Sequence, residues 1–177
     1  LGDVYKRQQQ KRIILFVGRL EAFKCPYLLL HTFKDIQSDK DVLVIVGDGS
    51  LSKELKDYVQ SNNLKNVIMP GRLSGTDLYA WYYLANIFVL PSKFEPFGAV
   101  VNEALVAGCY TIVSNKVGAS ALINEQNGTV IDINDINSFK NVLNCSLKKI
   151  QEEKTHKSLM DKTFIEYYKN LINSLGI

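Results

Sequence analysis

From Lys11 onward the chain alternates short apolar runs with longer segments whose apolar residues recur every three or four positions. The runs near 12–18, 42–47, 66–69, 86–90, 110–114 and 129–131 are rich in Val, Ile, Leu and Phe and lack a polar alternate. That is the pattern of strands covered on both faces of a parallel sheet. Helical spacing predicts helices near 26–37, 50–62, 75–84, 98–107, 118–124, 135–150 and 155–174. Phe139, Val142, Leu143 and Leu147 share one face of the sixth, and Phe164, Tyr167, Tyr168 and Leu171 make an apolar stripe on the seventh. Pro26 suits a first helical turn, Thr76 with Asp77 marks a helix start, and Gly108 marks a helix stop. Strand–helix units in this alternation predict an α/β fold, a doubly wound, Rossmann-like parallel sheet.

The segment from Leu1 to Gln8 has neither period, and the sequence does not start with Met. Residues 1–10 therefore read as a cloning or sequencing scar plus a tail, and 11–177 as one domain. The expectation is that the natural protein is longer at its N-terminus. A chain of 177 residues with 46% hydrophobic content can bury a real core. Its 21 basic and 18 acidic residues leave +3, too mild to argue for a nucleic-acid partner, and no basic run is interleaved with aromatics. Cys25, Cys109 and Cys145 have no metal-ligand spacing, and their odd number fits a reducing, cytoplasmic setting better than a disulfide framework. No apolar stretch is long enough to span a bilayer. His31 and His156 read as packing or solvated residues, and Trp81, Tyr82 and Tyr83 as packing within a helix.

The chemistry concentrates after the strand Ile87 to Leu90. There the chain runs Pro91-Ser-Lys-Phe-Glu95-Pro-Phe97-Gly98-Ala99-Val100-Val-Asn-Glu103-Ala104. Ligands of open parallel sheets sit at the carboxyl ends of strands. The helix beginning near Gly98 or Ala99 points free N–H groups at that crevice and suits a phosphate. Gly98 has no side chain to block close approach. A hydrolase pair would hold its two carboxylates about 5–5.5 or 6.5–9.5 Å apart. Eight helical residues span about 12 Å, which fits two ends of an extended ligand better than two sides of one bond. Upstream, the apolar strand Ile13 to Val17 is followed by Gly18-Arg19-Leu20 and then Lys24, a planar fork and a point charge close together in the chain. Gly47-Asp48-Gly49 lacks the third glycine of a dinucleotide fingerprint and does not follow the first strand, so a dehydrogenase reading is weak. Asp48 and Arg72 carry ordinary readings as a turn-forming carboxylate and a loop cation.

Glu95 and Glu103, with Pro-Phe-Gly between them, resemble the glutamate–seven–glutamate motif of retaining glycosyltransferases of the two-Rossmann-domain (GT-B) fold. More narrowly they resemble family 4, the glycosyl transferases group 1. The resemblance covers roughly residues 12–175 and corresponds to the C-terminal, donor-binding half, with the acceptor-binding N-terminal domain as the missing partner. It implies transfer of a sugar from a nucleoside-diphosphate sugar, such as a UDP- or GDP-sugar, to a glycan or lipid-linked acceptor. In that picture Glu95 lies near the hexose, the helix start on the phosphates and Glu103 on the ribose, with Gly18, Arg19 and Lys24 at the diphosphate. Arg72 and Leu73 hold the base, and Phe97, Gly98, Ala99 and Val100 line the donor. Glu95, Arg19 and Lys24 are the catalytic candidates. The family has Gly after the lysine where Cys25-Pro26 stand here. No metal or separate cofactor is implied. Many members work at the cytoplasmic face of the membrane, so peripheral membrane contact is a further expectation, as is poor transfer by this half alone. A non-catalytic nucleotide-sugar-binding module and an epimerase on the same fold remain open. A phosphorylase would want a pyridoxal-phosphate lysine motif that is not apparent.

Overall fold

In a computed structural model, the structure describes residues 11–150 and 158. Six parallel strands form one sheet: β1 (Arg12–Val17), β2 (Asp41–Val46), β3 (Val67–Gly71), β4 (Ile87–Leu90), β5 (Tyr110–Ser114) and β6 (Gly128–Ile131). Their order across the sheet is 3-2-1-4-5-6, the doubly wound arrangement whose order reverses between β1 and β4. Among the described residues, five helices connect or flank them: α1 (Pro26–Ile36), α2 (Ser52–Ser61), α3 (Gly75–Leu84), α4 (Ala99–Val106) and α5 (Ile136–Lys149).

The uninterrupted apolar runs are buried as that pattern requires. Ile14, Leu15 and Phe16 of β1, Leu43 to Ile45 of β2 and all of β4 have no exposed surface. Leu29, Leu30 and Phe33 of α1 and Phe139 and Leu143 of α5 cover one face, and Val101 and Ala104 of α4 pack into the same core. Gly108 ends α4 in the left-handed region (φ 76°), and the Cys109 N–H returns to the Ala104 carbonyl.

Four local expectations change. The helix expected over 118–124 is a 3-10 turn, Gly118–Leu122, because that segment is tied to the β4 loop and not to a continuing helical ladder. Strand β3 runs on through Pro70 to Gly71, whose carbonyl accepts from the Gly47 N–H. Helix α3 has the expected bounds, 75–84, but its cap position is Ser74, so Thr76 and Asp77 lie inside its first turn and do not mark its start. Helix α2 starts at Ser52, because Asp48, Gly49 and Ser52 close the preceding turn with their own hydrogen bonds. The helix expected over 155–174 lies outside the described residues.

Candidate functional site

The reversal of strand order leaves a crevice above the carboxyl ends of β1 and β4. Of the sequence-derived residues, Gly18, Arg19 and Lys24 follow β1 and Glu95, Phe97 and Gly98 follow β4, while Ala99, Val100 and Glu103 lie on α4 and Arg72 and Leu73 follow β3. After β1, the chain crosses Gly18 and Arg19 and tightens into a 3-10 turn, Ala22–Lys24. Cys25 then takes a left-handed conformation (φ 54°), which lets Pro26 open α1 at its first position. This geometry turns Lys24 inward, and it is buried.

After β4, the loop 91–98 is held from both sides. The Lys93 N–H donates to the Phe23 carbonyl (2.7 Å) and the Gly118 N–H donates to the Glu95 carbonyl (2.8 Å). Glu95 also bridges to Val117 in parallel fashion. A Cβ on Gly118 would lie 2.0 Å from the Pro96 carbonyl oxygen, so glycine is required there. Gly98 has φ 80° and is buried against Val117, which a Cβ would approach to 2.8 Å.

Both oxygens of Glu95 are engaged. Oε1 accepts from the Gly98 N–H at the start of α4 (3.2 Å), and Oε2 forms an ion pair with the Lys24 ammonium. Burial, and secondarily the Arg19 guanidinium, push the Lys24 ammonium below the ordinary lysine pKa, while the touching carboxylate opposes them. Arg19 is exposed, with its guanidinium 5.5 Å from the centre of the Phe23 ring, and the Lys24 nitrogen is 5.7 Å from the same ring. Neither Phe23, an aromatic between two cations, nor the Lys24–Glu95 contact is signalled by any pattern in the sequence.

Val17, Gly18, Arg19, Val46, Gly47, Asp48, Gly49, Arg72 and Leu73 line an open cleft of about 490 Å³. The structure thus brings Arg72 and Leu73, after β3, to the same cleft as Gly18 and Arg19. Close backbone packing shapes it: a Cβ on Gly47 would fall 1.8 Å from the Gly18 carbonyl oxygen. The Glu21 carboxylate accepts from the Ser50 N–H and hydroxyl, closing the β1 and β2 loops on each other. Asp48 accepts from the Gly49 N–H and the Ser52 hydroxyl, bonds that hold its carboxyl below the usual range. It is the turn former of the ordinary reading.

Glu95 lines a neighbouring recess of about 340 Å³ with Phe94, Pro96, Lys116 and Gly118. Phe97 and Ala99 stand exposed on the rim, and Val100 is half-buried. Glu103 lines neither hollow. It lies half-buried on α4, with Oε2 fully buried and without a hydrogen-bond partner among the described residues. Burial, and secondarily the Glu103 charge, push the phenol of Tyr82 on α3 above its ordinary pKa.

The chain is similar to known glycosyltransferases in sequence and in fold. The family model described as glycosyl transferases group 1 matches residues 3–162. A GDP-mannose-dependent alpha-mannosyltransferase of Corynebacterium glutamicum is 35% identical over 152 residues, 84% of this chain and 34% of the relative. A UDP-Gal:alpha-D-GlcNAc-diphosphoundecaprenol alpha-1,3-galactosyltransferase of Escherichia coli is 37% identical over 139 residues, 74% of this chain and 35% of the relative. The structure of sucrose-phosphate synthase from Thermosynechococcus elongatus superposes with a TM-score of 0.77 at 25% identity, over 99% of this chain and 47% of that one. The chain therefore spans about a third of the length of these curated relatives. A parallel sheet ordered 3-2-1-4-5-6, with its loops gathered at the reversal and this family match along most of its length, identifies the chain as a member of the glycosyl transferases group 1 family, with the fold of the GT-B glycosyltransferases.

Proposed function

We propose that this chain is the donor-binding half of a retaining glycosyltransferase that uses a nucleoside-diphosphate sugar. The observation that carries the reading is the meeting of Lys24, Glu95 and the start of α4 at the point where strand order reverses. A lysine, a carboxylate and a helix N-terminus in one place can hold, respectively, a diphosphate oxygen, sugar hydroxyls and a second phosphate oxygen. Arg19, exposed at the mouth of the adjoining cleft, adds a planar cation for the diphosphate.

Bond cleavage between sugar and phosphate leaves charge on the diphosphate. Lys24, Arg19 and the α4 N–H groups are placed to stabilise that charge more than the ground state. Glu95 orients the hexose, and the leaving phosphate assists deprotonation of the incoming hydroxyl on the same face of the sugar. The base lies along Arg72 and Leu73 and the ribose against Glu103. The two curated relatives are named for a GDP-sugar and a UDP-sugar, so both bases are candidates. The acceptor, a glycan or a lipid-linked sugar, belongs to the half that faces the exposed Phe94 and Phe97, at the inner face of the membrane. No described helix is long and apolar enough to cross a membrane.

The test is a thermal-shift and calorimetry panel on this chain with UDP, GDP, ADP, their common sugar forms and NAD. A ligand at 100 times its dissociation constant adds about 2.7 kcal/mol, or roughly 5–10 °C for a domain of this size. Stabilisation by one nucleoside diphosphate supports a donor site. A shift with NAD alone, or with no nucleotide, counts against it. In the full-length parent, an anomer opposite to that of the donor would overturn retention.

A further inference from the structure

Arg19 serves a diphosphate only if the chain binds a nucleoside-diphosphate sugar, and the role of its neighbour Glu21 rests on that same reading. An exposed arginine has many rotamers, and a group displaced by about 1 Å loses much of its effect on a bound ligand. The Arg19 guanidinium lies beside the Phe23 ring, 5.5 Å from its centre. Its place therefore depends on where the Arg19 backbone is held and where the turn carrying Phe23 is held. Glu21 stands between the two. Its N–H donates to the Arg19 carbonyl (3.0 Å), and its carbonyl accepts from the Lys24 N–H (2.9 Å), which closes the 3-10 turn Ala22–Lys24.

The side chain of Glu21 ties this corner to the turn after β2. As far as Leu20, the backbone of the β1 loop does so itself. The Gly18 N–H donates to the Val46 carbonyl, the Leu20 N–H to the Asp48 carbonyl, and the Leu51 N–H to the Leu20 carbonyl. Beyond Leu20, the N–H groups of Glu21, Lys24 and Cys25 bond within the loop. There the carboxylate continues the tie: Oε1 accepts from the Ser50 N–H (3.1 Å) and Oε2 from the Ser50 hydroxyl (2.6 Å). Gly49 leaves room for it, since a Cβ at that position would lie 2.8 Å from Oε1 and 2.7 Å from the Leu20 carbonyl oxygen. The Ser50 hydroxyl, then the Ser50 N–H, hold the Glu21 carboxyl below its ordinary pKa, so it is ionised at neutral pH and acts as an acceptor.

We propose that Glu21 is a positioning residue of the donor site: clamped to Ser50, it fixes the corner of the β1 loop from which Arg19 reaches the diphosphate. Its own charge opposes a phosphate, so the benefit lies in its two hydrogen bonds and not in attraction to the ligand. Glu21→Gln keeps both bonds, with the amide oxygen accepting from the Ser50 N–H and the amide N–H donating to the hydroxyl. Glu21→Ala loses both. Lys24 has separate anchors, its burial and the Glu95 carboxylate, so the effect falls on Arg19.

The experiment is calorimetry with whichever of UDP, GDP and ADP binds this chain most tightly, and with the matching monophosphate. Glu21→Ala should weaken the diphosphate by about tenfold, the scale of one hydrogen bond to a charged group, and the monophosphate by less than about twofold. Glu21→Gln should bring the diphosphate back to within about threefold of the unmodified chain. In an Arg19→Ala background, Glu21→Ala should cost the diphosphate no more than about a further twofold, because the two residues act as one unit. Native diphosphate affinity in Glu21→Ala overturns the proposal, as do costs that multiply across the two positions, or a Glu21→Gln protein as weak as Glu21→Ala. Tighter diphosphate binding in Glu21→Ala also overturns it, by marking the carboxylate as an occupant of the ligand's own anion site. An unmodified chain that binds no nucleoside diphosphate refutes the underlying donor reading, and the proposal falls with it. Should Glu21→Ala fail to fold, Ser50→Ala takes its place in each comparison, since it deletes the 2.6 Å bond at an exposed position.

Discussion

The Lys24 ammonium lies against Oε2 of Glu95, joining the loop after β1 to the loop after β4 across the reversal of strand order. Each group occupies the other before any ligand arrives. A diphosphate and a sugar entering together exchange this contact for lysine–phosphate and carboxylate–hydroxyl contacts, so the loss is offset on both sides. A bare diphosphate draws Lys24 away and leaves a half-buried carboxylate without its cation, which costs binding free energy.

Glu95→Gln is accordingly expected to bind nucleoside diphosphate at least as tightly as the parent residue does. It should lose the extra affinity for the sugar-bearing form. In the full-length parent, turnover should fall by about 100-fold, the scale of removing one group that acts in the transition state. Calorimetry with both ligand forms and a steady-state assay read the two effects. An equal loss in all three quantities would end the division of roles between Glu95 and Lys24.

The depressed pKa of Lys24 gives a second prediction, with opposite signs for stability and for binding. Its value in the folded protein lies below the ordinary 10.5. In that window the unfolded chain binds more protons than the folded one, so this group's contribution to stability rises as pH climbs from the folded value toward 10.5. Diphosphate affinity needs the ammonium and should fall over the same window. Lys24→Met should abolish both trends, and Lys24→Arg should keep affinity level through the window. Denaturation and binding curves between neutral pH and 10.5 on the three proteins decide it.

Much of the fold is legible in the sequence because the physics is local. The strands are readable because a sheet covered on both faces leaves no polar alternate, as in Val42 to Val46. The loops after β1 and β4 are readable because Gly18-Arg19 and Glu95 to Glu103 keep their spacing in the chain. Contacts between distant segments are not readable. Nothing near Lys24 announces that it turns inward onto Glu95, since that depends on the left-handed Cys25, a conformation that non-glycine residues rarely adopt. The segment 118–124 reads as helical, yet the backbone bonds from Gly118 and Ala119 to the β4 loop pre-empt the helical ladder.

Asp41, which no sequence pattern singles out, has no exposed surface and accepts from the Arg12 Nε (2.7 Å), the Ser38 N–H (2.8 Å) and the Ser38 hydroxyl (2.9 Å). It pins the start of β2 to the start of β1. Asp41→Ala removes the carboxylate of the ion pair with Arg12 and leaves the Arg12 Nε–H and the Ser38 N–H without their acceptor, while the guanidinium keeps the Leu147 carbonyl and the Ser38 hydroxyl, so a destabilisation of about 3 kcal/mol is expected. Urea denaturation reads it directly. Nucleotide affinity under native conditions should be unchanged, because Asp41 lies at the opposite end of the strands from the cleft.

Arg19→Ala tests the outer cation. Arg19 is exposed and rests beside Phe23, so the fold should keep its stability. Nucleoside diphosphates should weaken by about 10- to 100-fold, the range for a charge-assisted hydrogen bond, and monophosphates by far less. Calorimetric titration of both ligand series on the variant separates the outcomes. A uniform loss would place the guanidinium at the nucleoside and not at the terminal phosphate.

Gly118→Ala probes the support of the β4 loop without touching any proposed ligand-binding side chain. The added methyl would sit 2.0 Å from the Pro96 oxygen and 3.5 Å from the Phe97 Cα, all backbone that no rotamer change can relieve. The loop must move outward, lengthening the hydrogen bond from the Gly118 N–H to the Glu95 carbonyl and drawing the Glu95 side chain off Lys24. A cost of about 1–3 kcal/mol in stability is expected from the forced displacement. The functional loss should exceed that of Asp41→Ala, which is the more destabilising change but lies far from the loop. Denaturation and nucleotide-sugar titration on both variants give the comparison. A Gly118→Ala protein that binds a nucleotide sugar with native affinity would mean that loop 91–98 does not need its contact with 117–119 to hold the donor.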